Sequence, residues 1–389
     1  MTSTLPAERI RAARDGDLVV FAANGFGFAS WMARVPDVRE LLDLTPGLLA
    51  LILLAISAGS LIGLPVAGRI AQALGATRTV RLGLALVAPG LVIAAAAAQA
   101  QLPLGWTMAG LFLLGLGVGI WDVAQNLEGS VIEQRLMKPI MPWFHAAFSG
   151  GTVVGALVGA VVVALGVPLV AHLGVVAAVS VVLILWGTSR FLPAHEDAAG
   201  PANVSTRQRS AWLEPRTLLI GVMVLAAAFT EGTANDWLAV AFVDGHDLDN
   251  AFGVLALALF LTFMTAGRIL GARLLDRFGR VAVLRGMFGA ALVGCVLVVF
   301  GTRELAFVGA AIWGLGASLG FPVGMSAAAD DPSRAAVRLS VVSTIGYTAF
   351  LAGPPLLGLL GDHYGVLQSL LVVGAVSVLA LLVVPAARE

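Results

Sequence analysis

The amino-acid sequence predicts an all-α membrane protein with 12 transmembrane helices in two parallel six-helix repeats. Apolar residues make up 59% of the 389 residues and charged residues 12%, whereas about a quarter of the residues of a soluble domain are charged. Apolar stretches of about 20 residues, enough to cross a bilayer core roughly 30 Å thick, recur along the whole chain. The two halves of the chain also align with each other.

Twelve apolar stretches, numbered here as predicted spans 1 to 12, define the crossings. The first half contains 18–38, 47–73, 79–99, 104–133, 142–165 and 168–190, and the second half contains 217–243, 251–275, 281–301, 304–327, 337–361 and 364–385. Proline removes a backbone hydrogen bond, so Pro322 predicts a kink in span 10 and Pro354-Pro355 one in span 11. The predicted domains are an N-terminal six-helix bundle (1–190), a cytoplasmic linker (191–216) and a C-terminal six-helix bundle (217–389).

The distribution of basic residues predicts the orientation. Of the 23 Lys and Arg residues, Arg34, Arg39 and Arg303 fall in loops on one side, and the other 20 lie on the opposite side. Cytoplasmic loops carry an excess of Lys and Arg, so both termini are predicted to be cytoplasmic in an inner membrane protein. The apolar run after Arg14 is too long for a secretory signal and lacks a convincing cleavage site.

An internal repeat relates the halves. Residues 68–75 align with residues 272–279 at an offset of 204, and an offset of 199 pairs Gly115-Leu116-Gly117 with Gly314-Leu315-Gly316. Six crossings in each half give both repeats the same orientation, which predicts parallel repeats related by an axis along the membrane normal. In such an arrangement, a substrate site is expected between the halves, near the middle of the membrane.

Acidic residues inside predicted spans 4 and 7 indicate chemistry within the membrane. Asp122 lies near the middle of span 4 with Asn126 four residues later on the same face, and Glu231 lies near the centre of span 7. A charge at mid-bilayer costs at least about 2.5 to 3.5 kcal/mol. We therefore predict that Asp122 and Glu231 couple transport to protons. The alternative is that they are protonated contacts between helices.

Polar and aromatic side chains on the same helices are predicted to bind a small-molecule substrate. Amides and aromatic rings at helical spacing are able to line a cavity, although such stripes more often serve packing. Histidine titrates near neutral pH and is suited to proton relay, with an interfacial structural role as its alternative. The predicted substrate-binding residues are Asn24, Phe28, Trp31, Trp121, Asn126, His145, Asn235 and Trp237.

The loops after spans 2 and 8 resemble the signature of the major facilitator superfamily, which runs small residue, apolar pair, acid, base, Gly. In the second half Asp276, Arg277 and Gly279 match it, whereas Gln72 and Ala73 replace the acid and base in the first. The resemblance covers the whole chain and implies the major facilitator fold, with loops that hold the cytoplasmic side shut. The predicted cytoplasmic gate, which on the alternative interpretation only anchors helix ends, comprises Arg78, Glu133, Asp276, Arg277 and Arg280.

The stretch from Gly115 to Gly129 is similar to helix 4 of the fucose permease branch, because an acid and an Asn four residues apart follow a Gly-x-Gly run. This resemblance implies proton-coupled symport of a sugar-like or other polar solute, with a role for Asp122 in proton coupling. The mechanism that we predict is alternating access, with Asp122 as the main proton carrier and Glu231, from its position in span 7, as a second.

A proton-coupled efflux antiporter for amphipathic compounds is the alternative, but the helix 4 Arg and helix 5 Gly-Pro pair of such antiporters are absent here. A third possibility is a non-transporting membrane sensor.

Other function classes lack support in the sequence. The basic residues are dispersed without interleaved aromatics, which argues against nucleic acid as a partner. The chain has one cysteine, Cys295, and no His and Cys cluster, so neither a disulfide nor a metal is predicted. We expect no cofactor and no enzymatic activity. The expected partners are a small solute, protons and the lipid bilayer, and the resemblance implies a monomer.

Overall fold

The computed structural model describes residues 6–137, 140–193, 211–331 and 334–388. The chain divides into two compact units, Met1–Ala194 and His195–Glu389. Residues 194–210 of the predicted linker lie outside the described residues. Within the described ranges the regular elements are all helices.

The first unit contains six α-helices. They are α1 (Ala7–Met32), α2 (Val35–Leu41), α3 (Pro46–Gln99), α4 (Leu104–Leu136), α5 (Met141–Ala164) and α6 (Leu169–Thr188). The first helix begins well before predicted span 1, so the basic residues Arg9, Arg11 and Arg14 are helical.

The second unit contains α7 (Pro215–Thr233), α8 (Ala239–His246), α9 (Asn250–Phe300), α10 (Arg303–Ala317), α11 (Gly320–Ala328), α12 (Ala335–Tyr364), α13 (Val366–Ser369) and α14 (Leu371–Val383). Short 3₁₀ turns cover Ala211–Leu213 and Val384–Ala387. A π-helical segment, Ala234–Leu238, joins α7 to α8.

The described residues form 11 helical stretches, some of them interrupted by short breaks, that are long and apolar enough to cross a membrane. One of them, Pro46–Gln99, has 54 residues and would be about 80 Å long if straight, which is more than twice the bilayer core. It turns at Gly75 and therefore supplies two crossings, which brings the 11 stretches to twelve.

Two glycines make the turns between paired crossings. Gly75 in α3 has φ 76° and ψ 162°, and Gly279 in α9 has φ 74° and ψ 162°. This backbone region is accessible essentially only to glycine. The two residues are related by the offset of 204 found in the sequence, so the repeat extends to backbone conformation.

Close helix packing is also repeated in the two units. A Cβ added to Gly115 would lie 2.0 Å from the Ile56 carbonyl oxygen, and one added to Gly314 would lie 2.1 Å from the Phe260 carbonyl oxygen. Gly115 and Gly314 are 199 positions apart, and Ile56 and Phe260 are 204 positions apart, which are the two offsets found in the sequence alignment. Small residues let helix backbones approach closely in lipid, where packing replaces the hydrophobic driving force.

The predicted kink in span 10 is a full break. Ser318 and Leu319 lie outside helices, between α10 and α11, and Pro322 lies in the first turn of α11. Proline there removes no helical hydrogen bond, because the first N–H groups of a helix lack intrahelical partners. In span 11 the prolines lie inside the continuous helix α12.

Candidate transport sites within the two units

Asp122 on α4 is the candidate proton carrier of the first unit. Its carboxylate Oδ1 accepts a hydrogen bond from Gln125 Nε2 at 3.0 Å. The predicted partner Asn126 instead donates from Nδ2 to the Asp122 main-chain oxygen at 2.8 Å. Gln125 is fully buried and was not predicted, because its contact uses a spacing of three residues instead of four. The carboxylate therefore has a neutral side-chain partner.

The predicted aromatic residues differ in their exposure. Trp31, Trp121 and Trp237 are 1%, 1% and 0% exposed, and their indole nitrogens have no hydrogen-bond partner. In this structure the three indoles pack inside the protein. Phe28 is half-buried, so of the predicted aromatic residues it is the one with accessible surface. Direct contact of these residues with a solute stays a prediction.

The predicted amide and imidazole of α1 and α5 lie in different environments. Asn24 is buried at 4% exposure, whereas His145 is exposed. The His145 ring meets the Phe21 ring edge-on with 5.6 Å between centroids. Because the His145 side chain is accessible, it is able to contact a solute or exchange protons, and this role stays a prediction.

Glu231 in the second unit belongs to an ion pair that was not predicted. Its two carboxylate oxygens accept hydrogen bonds from Arg268 Nη2 at 3.0 and 2.8 Å, and the two side chains are 20% and 26% exposed. Arg268 lies on α9, and its Nε contacts the Ser318 carbonyl oxygen at 3.4 Å. Glu231 is therefore linked to the break between α10 and α11. The sequence signal for this site was Arg268 itself, which lies seven residues before the end of predicted span 8, whereas the other arginine of that span, Arg273, lies close to the end.

The helix that carries Glu231 changes geometry directly after it. Asn235, Asp236 and Trp237 lie in the π-helical segment Ala234–Leu238. Single π turns inside α-helices occur frequently at functional sites. The Asn235 Oδ1 atom is buried without a hydrogen-bond partner, so an acceptor lies unused within about one turn of the ion pair.

Two buried acids of the first unit also escaped prediction. Asp17 on α1 is 0% exposed, neither of its carboxylate oxygens has a hydrogen-bond partner, and Glu128 lies close enough to act on it electrostatically. Glu128 on α4 accepts a hydrogen bond from the Leu192 main-chain nitrogen at 2.7 Å. Glu128 thus ties α4 to the chain after α6.

The predicted gate residues of the first unit do not pair with each other. Glu133 Oε2 accepts from the main-chain nitrogens of Ile140 and Met141 at 2.7 and 2.8 Å. It therefore caps the N-terminus of α5, where a negative charge is favourable. Arg78 is exposed. The Glu133 carboxylate is thus bound to the backbone of α5, and a gating role for Glu133 and Arg78 stays a prediction.

The second unit carries an ionic cluster at the same predicted side. Asp330 binds Arg280 Nη1 at 2.7 Å and Arg216 Nη2 at 2.8 Å, which joins α7, α9 and the chain after α11. Partial desolvation raises the pKa of Asp330, but the hydrogen bonds and charges of Arg280 and Arg216 outweigh it, so this pKa lies below its ordinary value.

The other two predicted gate residues of this unit, Asp276 and Arg277, are exposed. Arg277 lies over the Phe278 ring at 5.1 Å. Of the predicted gate residues in this unit, Arg280 is therefore the one in an ionic cluster, and its acid, Asp330, was not predicted. A role for any of these residues in gating stays a prediction.

A second acid outside the spans, Glu214, has a similar environment. It binds Arg334 Nη2 at 2.6 Å, Arg338 Nε at 2.7 Å and the Thr217 hydroxyl at 2.8 Å. Slight desolvation raises the pKa of Glu214, but hydrogen bonds from Arg338 and Thr217 and the charges of Arg338 and Arg334 lower it by more, so this pKa lies below its ordinary value.

Among the described residues no group of three or more His, Cys, Asp or Glu side chains forms a metal site.

Two units of membrane-length helices with repeated glycine contacts define a polytopic membrane protein. The Major Facilitator Superfamily model matches residues 18–301 and 247–388. An uncharacterized transporter, y4wD, of Sinorhizobium fredii (strain NBRC 101917 / NGR234) is 30% identical over 379 residues, or 95% of this chain and 96% of that protein. The chain belongs to the Major Facilitator Superfamily and is an integral membrane transporter of small molecules, not an enzyme.

Solved structures of the family share the fold. The nucleoside transporter NupG aligns with a TM-score of 0.71 and 16% identity over 95% of this chain and 98% of that chain. The transporter FucP aligns with a TM-score of 0.63 and 16% identity over 96% of this chain and 99% of that chain. At these identities the likeness concerns the fold alone.

Proposed function

We propose that the protein is a proton-coupled symporter of a small polar, sugar-like solute in the cytoplasmic membrane, with both termini in the cytoplasm. It works by alternating access. Asp122 is the main proton carrier and Glu231 the second, and the predicted amide and aromatic residues contact the solute. The excess of basic residues on one side supports the orientation.

The observation that carries this proposal is the environment of Asp122. Its carboxylate lies within the span formed by α4 and accepts a hydrogen bond from a neutral amide, that of Gln125. Taking up a proton therefore breaks no ion pair there. Glu231, in contrast, must weaken its contact with Arg268 when it is protonated, which supports the order of the two acids.

A proton that moves with the solute supplies the driving force. A membrane potential contributes about 2.3 kcal/mol per elementary charge per 100 mV. Neutralising a carboxylate also removes a charge that is costly within the bilayer. Both effects favour a transport cycle in which the protein changes between its outward-facing and inward-facing states with the acid protonated and the solute bound.

The test is proton movement in liposomes that hold the full-length protein and a pH-sensitive dye. External sugars, sugar acids, nucleosides and cationic dyes are added in turn. Symport predicts acidification of the lumen with one of the polar solutes and its loss in Asp122→Asn. The surface variant Asp15→Asn is the matched control and should retain the signal.

Two results would contradict the proposal. Proton-driven accumulation that persists in Asp122→Asn would remove the main proton carrier. Alkalinisation of a pre-acidified lumen by a lipophilic cation, without any response to polar solutes, would establish the efflux antiporter instead.

A further inference from the structure

The ion pair between Glu231 and Arg268 is not required by the fold. The offset of 204 that relates the two halves places Leu64 at the position equivalent to Arg268. The neighbouring glycines Gly63 and Gly267 are also equivalent, and both face the helix that follows their own pair of crossings. The first unit thus forms the same packing with an apolar side chain, so the charges in the second unit need another explanation.

Irregular backbone surrounds the pair on two sides. The π-helical segment begins three residues after Glu231, and the main-chain oxygen that Arg268 contacts belongs to Ser318 in the break between α10 and α11. Non-helical backbone at membrane depth is tolerated only where it is buried in protein or lines a water-filled cavity. Broken helices of this kind form solute sites in transporters.

The pair is also accessible. Side-chain exposures of 20% for Glu231 and 26% for Arg268 exceed those of the buried Asp17 and Gln125, which are both 0%. Partial exposure allows a solute group to reach the guanidinium without unfolding the unit.

The other helices packed against α7 add few charges near the pair. Beyond the first two residues of α10, neither α10 nor α11 contains an ionisable side chain, and α14 contains none. Within α12, Tyr347 is the one ionisable residue between Arg338 and Asp362, and on the other side of the pair Asp236 follows in the π-helical segment.

We propose that Arg268 binds the carboxylate of a transported monoanion when Glu231 carries a proton. This inference rests on the proposed function, since the proton on Glu231 is one that is moved with the solute. In the empty site the Glu231 carboxylate accepts both hydrogen bonds from Arg268. In the loaded site a proton has moved onto Glu231, and the solute carboxylate takes its place against the guanidinium.

Charge balance supports this exchange. One carboxylate and one guanidinium sum to zero, and a protonated Glu231, a guanidinium and a solute carboxylate also sum to zero. The unit therefore carries the same net charge in both states, and neither state leaves an uncompensated charge in the membrane, which would be costly. A dianion such as a phosphate monoester would leave one negative charge uncompensated, so the geometry favours a monocarboxylate, for example a sugar acid.

Ligands that share a sugar ring or a carboxylate show whether binding requires the negative charge or the shape of the solute. The full-length protein in detergent is unfolded thermally in the presence of sodium D-glucuronate, sodium lactate, D-glucose or sodium chloride, between pH 5.5 and pH 7.5. A ligand that binds only the folded protein raises the midpoint with its concentration, from which Kd follows. A carboxylate should stabilise the wild type, glucose and chloride should not, and Kd should rise up to about tenfold per pH unit because one proton accompanies each anion.

Two variants test the named residues. Glu231→Gln removes the competing carboxylate, so carboxylate binding should become independent of pH and, at pH 7.5, about tenfold or more tighter than in the wild type. Loss of the guanidinium should weaken binding by at least about thirtyfold. Because Arg268→Gln alone leaves Glu231 without its partner, the double variant Glu231→Gln/Arg268→Gln keeps the site neutral and provides the folded reference.

Arg216→Gln, which removes an arginine from the ionic cluster outside the membrane, is the control for general anion effects and should bind like the wild type. The inference is overturned if glucose and glucuronate stabilise the protein equally, if no carboxylate stabilises the wild type at pH 5.5, if the double variant still binds, or if Glu231→Gln keeps the pH dependence of the wild type.

The liposome assay distinguishes this failure from failure of the proposed function. Proton-coupled uptake of a neutral sugar together with the absence of carboxylate binding would retain the symporter and reject the anion site. Carboxylate binding that depends on Arg268, without any proton movement, would retain the anion site and reject symport.

Discussion

Gly279 provides a direct test of how the chain turns between two crossings. Its φ of 74° and ψ of 162° interrupt α9, and a Cβ at this position would meet nothing within 4 Å. Replacement by alanine therefore adds no clash and isolates the backbone strain, which is about 1 to 3 kcal/mol in a region used essentially only by glycine.

Gly286 is the matched control, seven residues further along the same helix. A Cβ there also meets nothing within 4 Å, but the backbone is helical, so alanine should stabilise by about 0.5 to 1 kcal/mol. Gly279→Ala should thus be less stable than Gly286→Ala by about 1.5 to 4 kcal/mol, summing the two effects.

The assay is denaturant titration of the full-length protein in detergent micelles, followed by tryptophan fluorescence, to give the free energy of unfolding. The difference corresponds to roughly a tenfold to thousandfold change in the ratio of folded to unfolded protein. Equal stabilities of the two variants would refute the argument that this turn depends on the conformational freedom of glycine.

Three further predictions use the same measurement. Gly115→Ala and Gly314→Ala should each cost about 1 to 3 kcal/mol, because the new Cβ would lie 2.0 or 2.1 Å from a carbonyl oxygen of the facing helix; a loss in only one unit would contradict the repeat of packing. Glu128→Ala should lower the free energy of unfolding by about 1 to 3 kcal/mol, because the Leu192 main-chain N–H loses its acceptor. Asp17→Asn should leave it unchanged, because the Asp17 carboxylate oxygens have no hydrogen-bond partner to lose. Because the pKa of Asp330 is lowered in the folded protein, its ionised form stabilises the fold above the unfolded pKa of about 3.9, and this stabilisation is lost as the pH falls through the folded pKa. Asp330→Asn should therefore lower the free energy of unfolding by up to about 1 kcal/mol at pH 7 and by progressively less below pH 4. A loss that does not depend on pH would refute the ionic explanation.

The sequence predicted the crossings closely because lipid constrains them. Span 4 was predicted at 104–133 and α4 runs over Leu104–Leu136; span 6 was predicted at 168–190 and α6 runs over Leu169–Thr188. Apolar length alone determines such elements, since a crossing must match the thickness of the bilayer. The predicted repeat also located Gly75 and Gly279, although the sequence did not reveal their positive φ values.

Partners in space were the part that hydropathy could not supply. Arg268 is one of two arginines in predicted span 8, and it meets Glu231 across 37 residues of chain. Asp17 falls just outside predicted span 1, so hydropathy alone gives no reason to expect its burial, yet it is fully buried. A single sequence indicates which residues share a face of one helix, but it does not indicate which helix faces pack against each other.

The repeat itself helps to separate packing from function. Positions that keep their residue type in both halves, such as Gly115 with Gly314, make equivalent backbone contacts in the two units, so packing explains them. Two positions that differ carry arginines in the second unit alone: Leu64 corresponds to Arg268 and Ala76 to Arg280. Because the first unit forms its helices without these arginines, the fold does not require them, and each has found an acid within its own unit. An ion pair that only one of two similar bundles contains is better explained by what that bundle binds or holds shut than by its stability. Replacing Glu231 and Arg268 together leaves no unpaired charge, so the double variant is the one that separates transport from folding.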